Sequence, residues 1–280
     1  MKIFHDIKSV REYLGNCRND KVGFVPTMGA LHQGHLSLID LAKKSSDVVA
    51  VSIFVNQKQF NNSEDFARYP NTLDQDVDRL MEAGVDILFA PKAEEIYGNG
   101  FLTNINVEKL GDNLCGKDRK GHFEGMALIV VKLFNIIKPQ KVFFGEKDFQ
   151  QLQIIKRMVL DLNFDIEIIP GKTIREEDGL AISSRNSRLN NCERKIAGEI
   201  YQNLSFLKEQ IILNANKNID LILQEAEEKI LKIGANKIDY LRICDEKNLQ
   251  TISIFDPAIK SRLFIAIYVG EIRLIDNISL

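Results

Sequence analysis

Cysteine is scarce and scattered in this 280-residue chain: Cys17, Cys115, Cys192 and Cys244 form no C-x-x-C pair and have no histidine cluster beside them. Such spacing argues against a disulfide framework or a zinc site and leaves isolated buried thiols as the expectation. An excess of one charge is lacking as well. With 37 Lys and Arg against 39 Asp and Glu, the net charge is −2, so no strong field selects nucleic acid or an acidic membrane surface as partner. The longest apolar stretch, residues 126–137, is interrupted by Lys132 and Asn135 and falls short of a bilayer span. Met1-Lys2-Ile3-Phe4-His5-Asp6 has no apolar signal region, which sets the expectation of cytoplasmic residence. Neither G-x-x-x-x-G-K-[ST] nor G-x-G-x-x-G occurs, and no serine sits in G-x-S-x-G. A P-loop enzyme and a Ser-His-Asp hydrolase are therefore disfavoured.

What the chain does have is alternation. Apolar runs at 22–25, 48–55, 87–90, 141–144 and 166–169 are separated by helical patterns at 36–44, 73–83, 125–137 and 149–162. Continuous Val/Ile/Phe strands divided by helices predict an α/β, doubly wound parallel sheet, assigned to residues 1–172. Beyond it the texture changes to Lys/Glu/Asn-rich helices at 191–213 and 219–233, then strands at 238–243 and 262–269. That order predicts a smaller α+β C-terminal domain over residues 173–280, with a polar loop at 214–218.

Pro26-Thr27-Met28-Gly29-Ala30-Leu31-His32-Gln33-Gly34-His35 falls where the first apolar run turns into an amphipathic helix. The first turn of such a helix offers unpaired N–H groups and the positive end of its dipole to a phosphate. Gly29 and Gly34 let a backbone come close. Two of the four histidines stand here, but a histidine at this position also serves as a cap, so the pair alone leaves both roles open.

Ligands of open parallel sheets lie beyond the carboxyl ends of the strands, and three more strand exits carry polar clusters. In Phe54-Val55-Asn56-Gln57-Lys58-Gln59-Phe60, the amides of Asn56 and Gln59 suit a small polar substrate or a solvated loop. In Gly145-Glu146-Lys147-Asp148-Phe149-Gln150-Gln151, Asp148 is placed to cap a helix and Lys147 to meet a phosphate; a surface ion-pair cluster is the alternative. Ser183-Ser184-Arg185 supplies hydroxyls and a guanidinium fork where one domain meets the next, suited to a triphosphate or merely to water.

Taken together, these segments resemble the pantoate–β-alanine ligase family of the H-x-G-H nucleotidylyltransferase superfamily, over nearly the whole chain. Residues 26–35 are similar to its first nucleotide motif, 54–60 to its substrate motif, 145–151 to G-E-K-D-x-Q-Q and 175–186 to R-E-x-D-G-L-A-x-S-S-R-N. Arg273-Leu274-Ile275-Asp276-Asn277 fits the family ending. The resemblance implies a Rossmann-like fold, a homodimer, and ATP with Mg²⁺, pantoate and β-alanine as small-molecule substrates. It implies that Met28, Gly29, Ala30, Leu31, His32, Gln33, Gly34 and His35 contact ATP, as do Gly145, Glu146, Lys147 and Asp148. Ile174 would lie beside the adenine, and Ile182, Ser183, Ser184 and Arg185 on the phosphate side. His35, His32, Lys147 and Arg185 are the implied catalytic residues, and Gln59, Gln151 and Asn56 the implied substrate contacts. Arg119 and His122 match a family segment near the site. Gln57 departs from the pattern by replacing a proline; losing a fixed φ is expected to loosen the loop without changing the reaction.

The implied reaction runs in two steps, adenylation of pantoate and then transfer of the acyl group to the amine of β-alanine, and needs no enzyme nucleophile. Residues 58–65 are expected to cover the reactive adenylate. Asp74, Asp76 and Asp78 are read as exposed helical residues, so no carboxylate is assigned to the metal. The rival readings are another H-x-G-H nucleotidylyltransferase and a silent nucleotide-binding sensor; a tRNA synthetase relative is disfavoured by the short chain and absent basic excess.

Overall fold

Short β-branched and aromatic runs form the strands of the computed structural model, which describes all residues except Arg18 and Asn216. In chain order the elements are β1 Lys2–Phe4, α1 Ile7–Gly15, β2 Val22–Thr27, α2 Gln33–Ser45, β3 Val48–Ile53, α3 Ser63–Ala67, α4 Leu73–Glu82 and β4 Ile87–Phe89. There follow α5 Ala93–Tyr97, α6 Cys115–Asp118, α7 His122–Ile137, β5 Lys141–Gly145, α8 Phe149–Asp161 and β6 Glu167–Gly171. The remainder comprises α9 Asn191–Leu213, α10 Asp220–Ile233, β7 Lys237–Asp245, β8 Ser261–Val269 and β9 Ile272–Ser279.

The first six strands make one parallel sheet in the order β1-β4-β3-β2-β5-β6. Period-2 alternation sorts its side chains onto two buried faces. Phe24, Ala50, Ile87, Phe89, Val142 and Phe144 share one core with α1, α7 and α8. Val25, Val49, Val51, Leu88 and Phe143 share another with α2 and α4. Both faces being covered explains why the strands read as unbroken apolar runs. The order reverses between β2 and β5, so their carboxyl ends flank the switch point where ligands of such sheets bind. Among the described residues, no helix is long and apolar enough to cross a membrane; α7 owes its apolar character to burial between the sheet and its neighbours.

The remaining strands form the antiparallel sheet β7-β8-β9. One face, with Leu241, Ile243, Ile265 and Ile267, packs under α9 and α10. The other presents Tyr240, Cys244, Phe264 and Ala266 to the core built on α7 and α8. The smaller sheet is thus fastened to the larger by apolar contact.

The α/β architecture matches the sequence reading, with boundaries moved by up to three residues. Six elements escaped it: β1, α1, β9 and the short helices α3, α5 and α6, each of the three helices having only four or five residues. β1 is three residues long and mostly exposed, and α1 is short. In β9, Asp276 and Asn277 occupy buried positions that break the apolar pattern. The strand expected at 166–169 runs on through Pro170 because β6 is an edge strand, where a missing N–H leaves no ladder bond unmade. Only Cys115 and Cys244 are buried; Cys192 is exposed on α9, correcting the expectation for that thiol. The polar loop at 214–218 does separate α9 from α10, Asn216 lying outside the described residues.

One close approach matters for the site. A Cβ on Gly125 of α7 would lie 2.1 Å from the carbonyl oxygen of Lys58 and 2.7 Å from the nitrogen of Gln59. Glycine is therefore needed to seat the 3-10 turn Gln57–Gln59 on the helix. Gly125→Ala is expected to lower the unfolding free energy by about 1–3 kcal/mol, the scale of core overpacking, in urea titrations; wild-type stability would show that the turn is not held there.

Candidate active site

The loop from β2 to α2 is built around one buried carboxylate. Gly29 and Ala30 both have positive φ, +77° and +49°, a conformation that costs an L-residue about 1–2 kcal/mol. Asp76 of α4 offsets that cost. Its Oδ2 accepts from the Ala30 N–H at 2.8 Å and the Thr72 hydroxyl at 3.0 Å, and its Oδ1 from the Leu31 N–H at 2.8 Å. Arg79 of the same helix donates to the Leu31 carbonyl. Asp76 is completely buried, which corrects its reading as an exposed helical residue; Asp74 and Asp78 are exposed. Its position four residues before buried Leu80 was the available signal, because i and i+4 share a helix face. The N–H groups of Ala30 and Leu31, expected at ATP, are held by Asp76.

This loop delivers the histidines as a stacked pair, ring centroids 4.1 Å apart. The His32 N–H donates to Nδ1 of His35 at 3.3 Å, so the proton of the neutral His35 ring resides on Nε2. Burial, then the neighbouring His32 and Lys147, pushes His35 down to about 3. Burial and Lys147 likewise lower His32 to about 4. Nδ1 of His32 is buried without a partner. A Cβ at position 34 would come within 3.0 Å of the His32 ring, so Gly34 makes room for the stack.

The substrate-motif turn is held from below. Asn56 is completely buried; its Nδ2 donates to Oε1 of Gln59 at 3.1 Å and to the Gly125 carbonyl at 2.9 Å, while its Oδ1 accepts from the Tyr97 hydroxyl at 2.6 Å. With its groups so committed, Asn56 positions Gln59 and does not reach the cavity, a correction to its expected substrate contact. Nε2 of Gln59 donates to the Met28 sulfur at 2.8 Å. Its backbone carbonyl accepts from Nδ1 of His122 at 2.7 Å, which fixes that tautomer and leaves Nε2 to accept from Arg119 at 3.0 Å. Burial and Arg119 push His122 down to about 3. Arg119 and His122 thus join the site as a coupled pair.

At the end of β5, Lys147 points its ammonium toward the cavity, 3.9 Å from the Asp148 carboxylate. Asp148 stands at the N-cap position of α8 but makes no capping bond, correcting that expectation. Instead Asn277 of β9 donates to the carbonyls of Glu146 and Lys147 at 3.0 and 2.9 Å. Asp276, beside it, takes a two-point grip from Arg175 at 2.6 and 2.9 Å. Sequence reasoning gave Arg175, Asp276 and Asn277 no role, and only their family motifs hinted at one.

These parts surround a cavity of about 230 Å³ lined by Met28, His32, His35, Gln59, Gln151 and Ile182, among others. A neighbouring space of about 400 Å³ lies beneath α3 and β9. Arg119, Lys147, Asp148, Ser183 and Arg185 line both, so the two meet at the cationic groups. Ser184 lines the smaller. Gly29, Ala30, Leu31, Gln33, Gly34, Gly145, Glu146 and Ile174 line neither. The Ile174 carbonyl accepts from the Ile182 N–H at 3.0 Å, and Gln33 is exposed to solvent. No cluster of three or more His, Cys, Asp or Glu able to hold a metal occurs among the described residues.

The profile of the pantoate-beta-alanine ligase family matches residues 2–279. The chain belongs to that family. A pantothenate synthetase of Caldicellulosiruptor bescii is 44% identical over 280 residues, covering 99% of this chain and 98% of that protein. The crystal structure of pantothenate synthetase from Thermus thermophilus superposes with a TM-score of 0.92 at 41% identity, with 99% of each chain covered. That of the pantoate-beta-alanine ligase from Francisella tularensis, complexed with beta-gamma ATP and beta-alanine, gives 0.85 at 40% identity, covering 100% of this chain and 97% of that one.

Two outcomes follow for this ligase-family site. Removing the Asp76 carboxylate by D76A leaves two loop N–H groups without acceptors, and unfolding free energy is expected to fall by about 2–4 kcal/mol; an unchanged urea midpoint would contradict its role as a strut. His32, His35 and His122 all titrate below the roughly 6.5 of a free imidazole. As pH falls below that value, the unfolded chain takes up protons that the folded one refuses, so stability is lost toward pH 4. Urea midpoints are expected to be lower at pH 5 than at pH 7.5, and H122Q should shrink the difference; a midpoint that rises on acidification would contradict this.

Proposed function

We propose that this protein joins pantoate to β-alanine at the expense of ATP, giving pantothenate, AMP and pyrophosphate through an enzyme-bound pantoyl adenylate. The observation that carries the reading is the meeting of four cationic or hydrogen-donating groups, His32, His35, Lys147 and Arg185, with Gln59 and Gln151 around one cavity. No side chain is required to form a covalent bond. A pantoate oxygen attacks the α-phosphorus, the bond to the β,γ-pyrophosphate breaks, and the amine of β-alanine then displaces AMP from the acyl carbon.

In this reading the neutral histidines act as hydrogen-bond donors. The Nε2–H of His35 faces the phosphates because its Nδ1 is occupied, and a value of about 3 keeps it uncharged at neutral pH. Lys147 and Arg185 offset charge that builds on the α-phosphate and on the departing pyrophosphate. The amides of Gln59 and Gln151 hold pantoate, and Asn56 and His122 hold Gln59. Magnesium would enter with the nucleotide as part of the substrate, held chiefly by phosphate and water, as suits an ion that keeps much of its hydration; Asp148 is the carboxylate on the lining that the two cavities share. Residues 58–65 and the 173–280 region close over the adenylate and keep water from it. A homodimer working in the cytoplasm completes the proposal, and sedimentation of the purified protein tests the dimer.

Incubation with ATP and Mg²⁺ is expected to yield AMP only when pantoate and β-alanine are both present; pyrophosphate without AMP under every condition would overturn the ligase reading. K147A is expected to slow adenylate formation by about two to three orders of magnitude, the scale of losing one transition-state donor, measured by single-turnover pyrophosphate release. A near-wild-type rate in a folded variant would remove Lys147 from the mechanism.

A further inference from the structure

Arg185 is held by a carboxylate of the chain itself. Its Nη2 lies 2.8 Å from Oδ2 of Asp65 on α3, and the other oxygen of that carboxylate, Oδ1, accepts from Arg188 at 3.0 Å. All three side chains are about three-quarters buried. Burial pushes the Asp65 carboxyl up, but the two guanidinium groups overcome that and hold it below the usual carboxylate range. The helix that carries Asp65 also carries Phe66, whose ring packs edge-on against Phe60, with centroids 5.4 Å apart; Phe60 meets Tyr69 in the same way at 5.7 Å. Phe60 directly follows Gln59, and both Phe60 and Tyr69 line the smaller cavity. One carboxylate thus pins the cover of the substrate pocket to an arginine that the proposed reaction needs for phosphate.

We infer that Asp65 is a positioning residue that holds Arg185 until a triphosphate takes its place, so that nucleotide binding loosens the 57–69 cover. This rests on the ATP-dependent reading above. Arg185 lines both cavities, whereas Arg188 lines only the larger, so an incoming triphosphate competes for Arg185 first. A triphosphate presents several anionic oxygens where Asp65 presents two, and a guanidinium fork suits either partner. Arg188 makes the exchange feasible: when Arg185 leaves, Asp65 keeps one charged partner and is not stranded as a largely buried lone carboxylate. The ion pair therefore opposes ATP binding by the free energy of its own rupture, and the same exchange releases α3, Phe66 and the packing of Phe60.

The sign of the effect separates this role from a merely structural one. Calorimetric titration with a β,γ-non-hydrolysable ATP analogue and Mg²⁺ is expected to show D65N binding about threefold to tenfold tighter than wild type, the conversion of a partly buried ion pair's contribution. D65E, which keeps the carboxylate, is expected to bind within about twofold of wild type on the same scale. Hydrogen exchange of amides 63–67 should speed up when the analogue binds the wild type, and should be fast already in D65N with no further change. Binding by D65N that is unchanged or weaker in a folded protein, equal tightening in D65E, or no change of wild-type exchange on binding would each overturn the inference while leaving the ligase reading intact. Failure of the wild type to bind the analogue would overturn both.

Discussion

The buried carboxylate of Asp76 fixes the turn from β2 into α2, and the placing of the His32/His35 stack on the cavity follows from it. Two consecutive residues in the left-handed region, one of them alanine, do not stay there unaided. Two backbone N–H groups on one carboxylate, with a threonine hydroxyl beside them, over-determine the loop. The His32/His35 stack begins at the next residue. Such a loop concentrates N–H groups in a way that invites an anion, and in this protein the anion is supplied by the chain itself, while the imidazoles and Lys147 stand on the cavity lining.

The substrate-motif turn follows the same logic with neutral groups. Gly125 admits the substrate turn, Asn56 fills the space beneath it, and His122 holds its backbone while orienting Arg119. Asn56 and His122 are buried polar side chains whose partners are protein atoms, so removing one strands another group. Positions that face the cavity are few and depend on a larger set that never touches it. The smaller sheet enters this scheme through β9, where Asn277 and Asp276 hold the Lys147 turn and the Arg175 segment.

Charge distribution separates the two cavities in character. The smaller is lined by amides, imidazoles and apolar side chains, and the larger by arginines interleaved with carboxylates. Lys147 and Arg185 stand where they join. The ion pairs of Asp65 with Arg185 and Arg188 stand on the larger space.

Sequence alone determined the α/β class, the strand exits that bear chemistry and, through four motifs at known spacing, the family. It could do so because a doubly covered parallel sheet imposes long apolar runs, and because ligand-facing residues cluster just after them. Only the tertiary structure decided which motif residues line the cavity and which support it. Asn56 and His32 look alike as polar residues at strand exits, yet one is walled in and the other lines the cavity. Asp76 reads as one more acidic residue on an acidic helix until the β2–α2 loop is seen lying across it. The physical reason is range. Periodicity and capping are local, whereas the partners of a buried polar group are set by contacts 45 and 46 residues away for Asp76 and 69 for Asn56, which no window along the chain can contain.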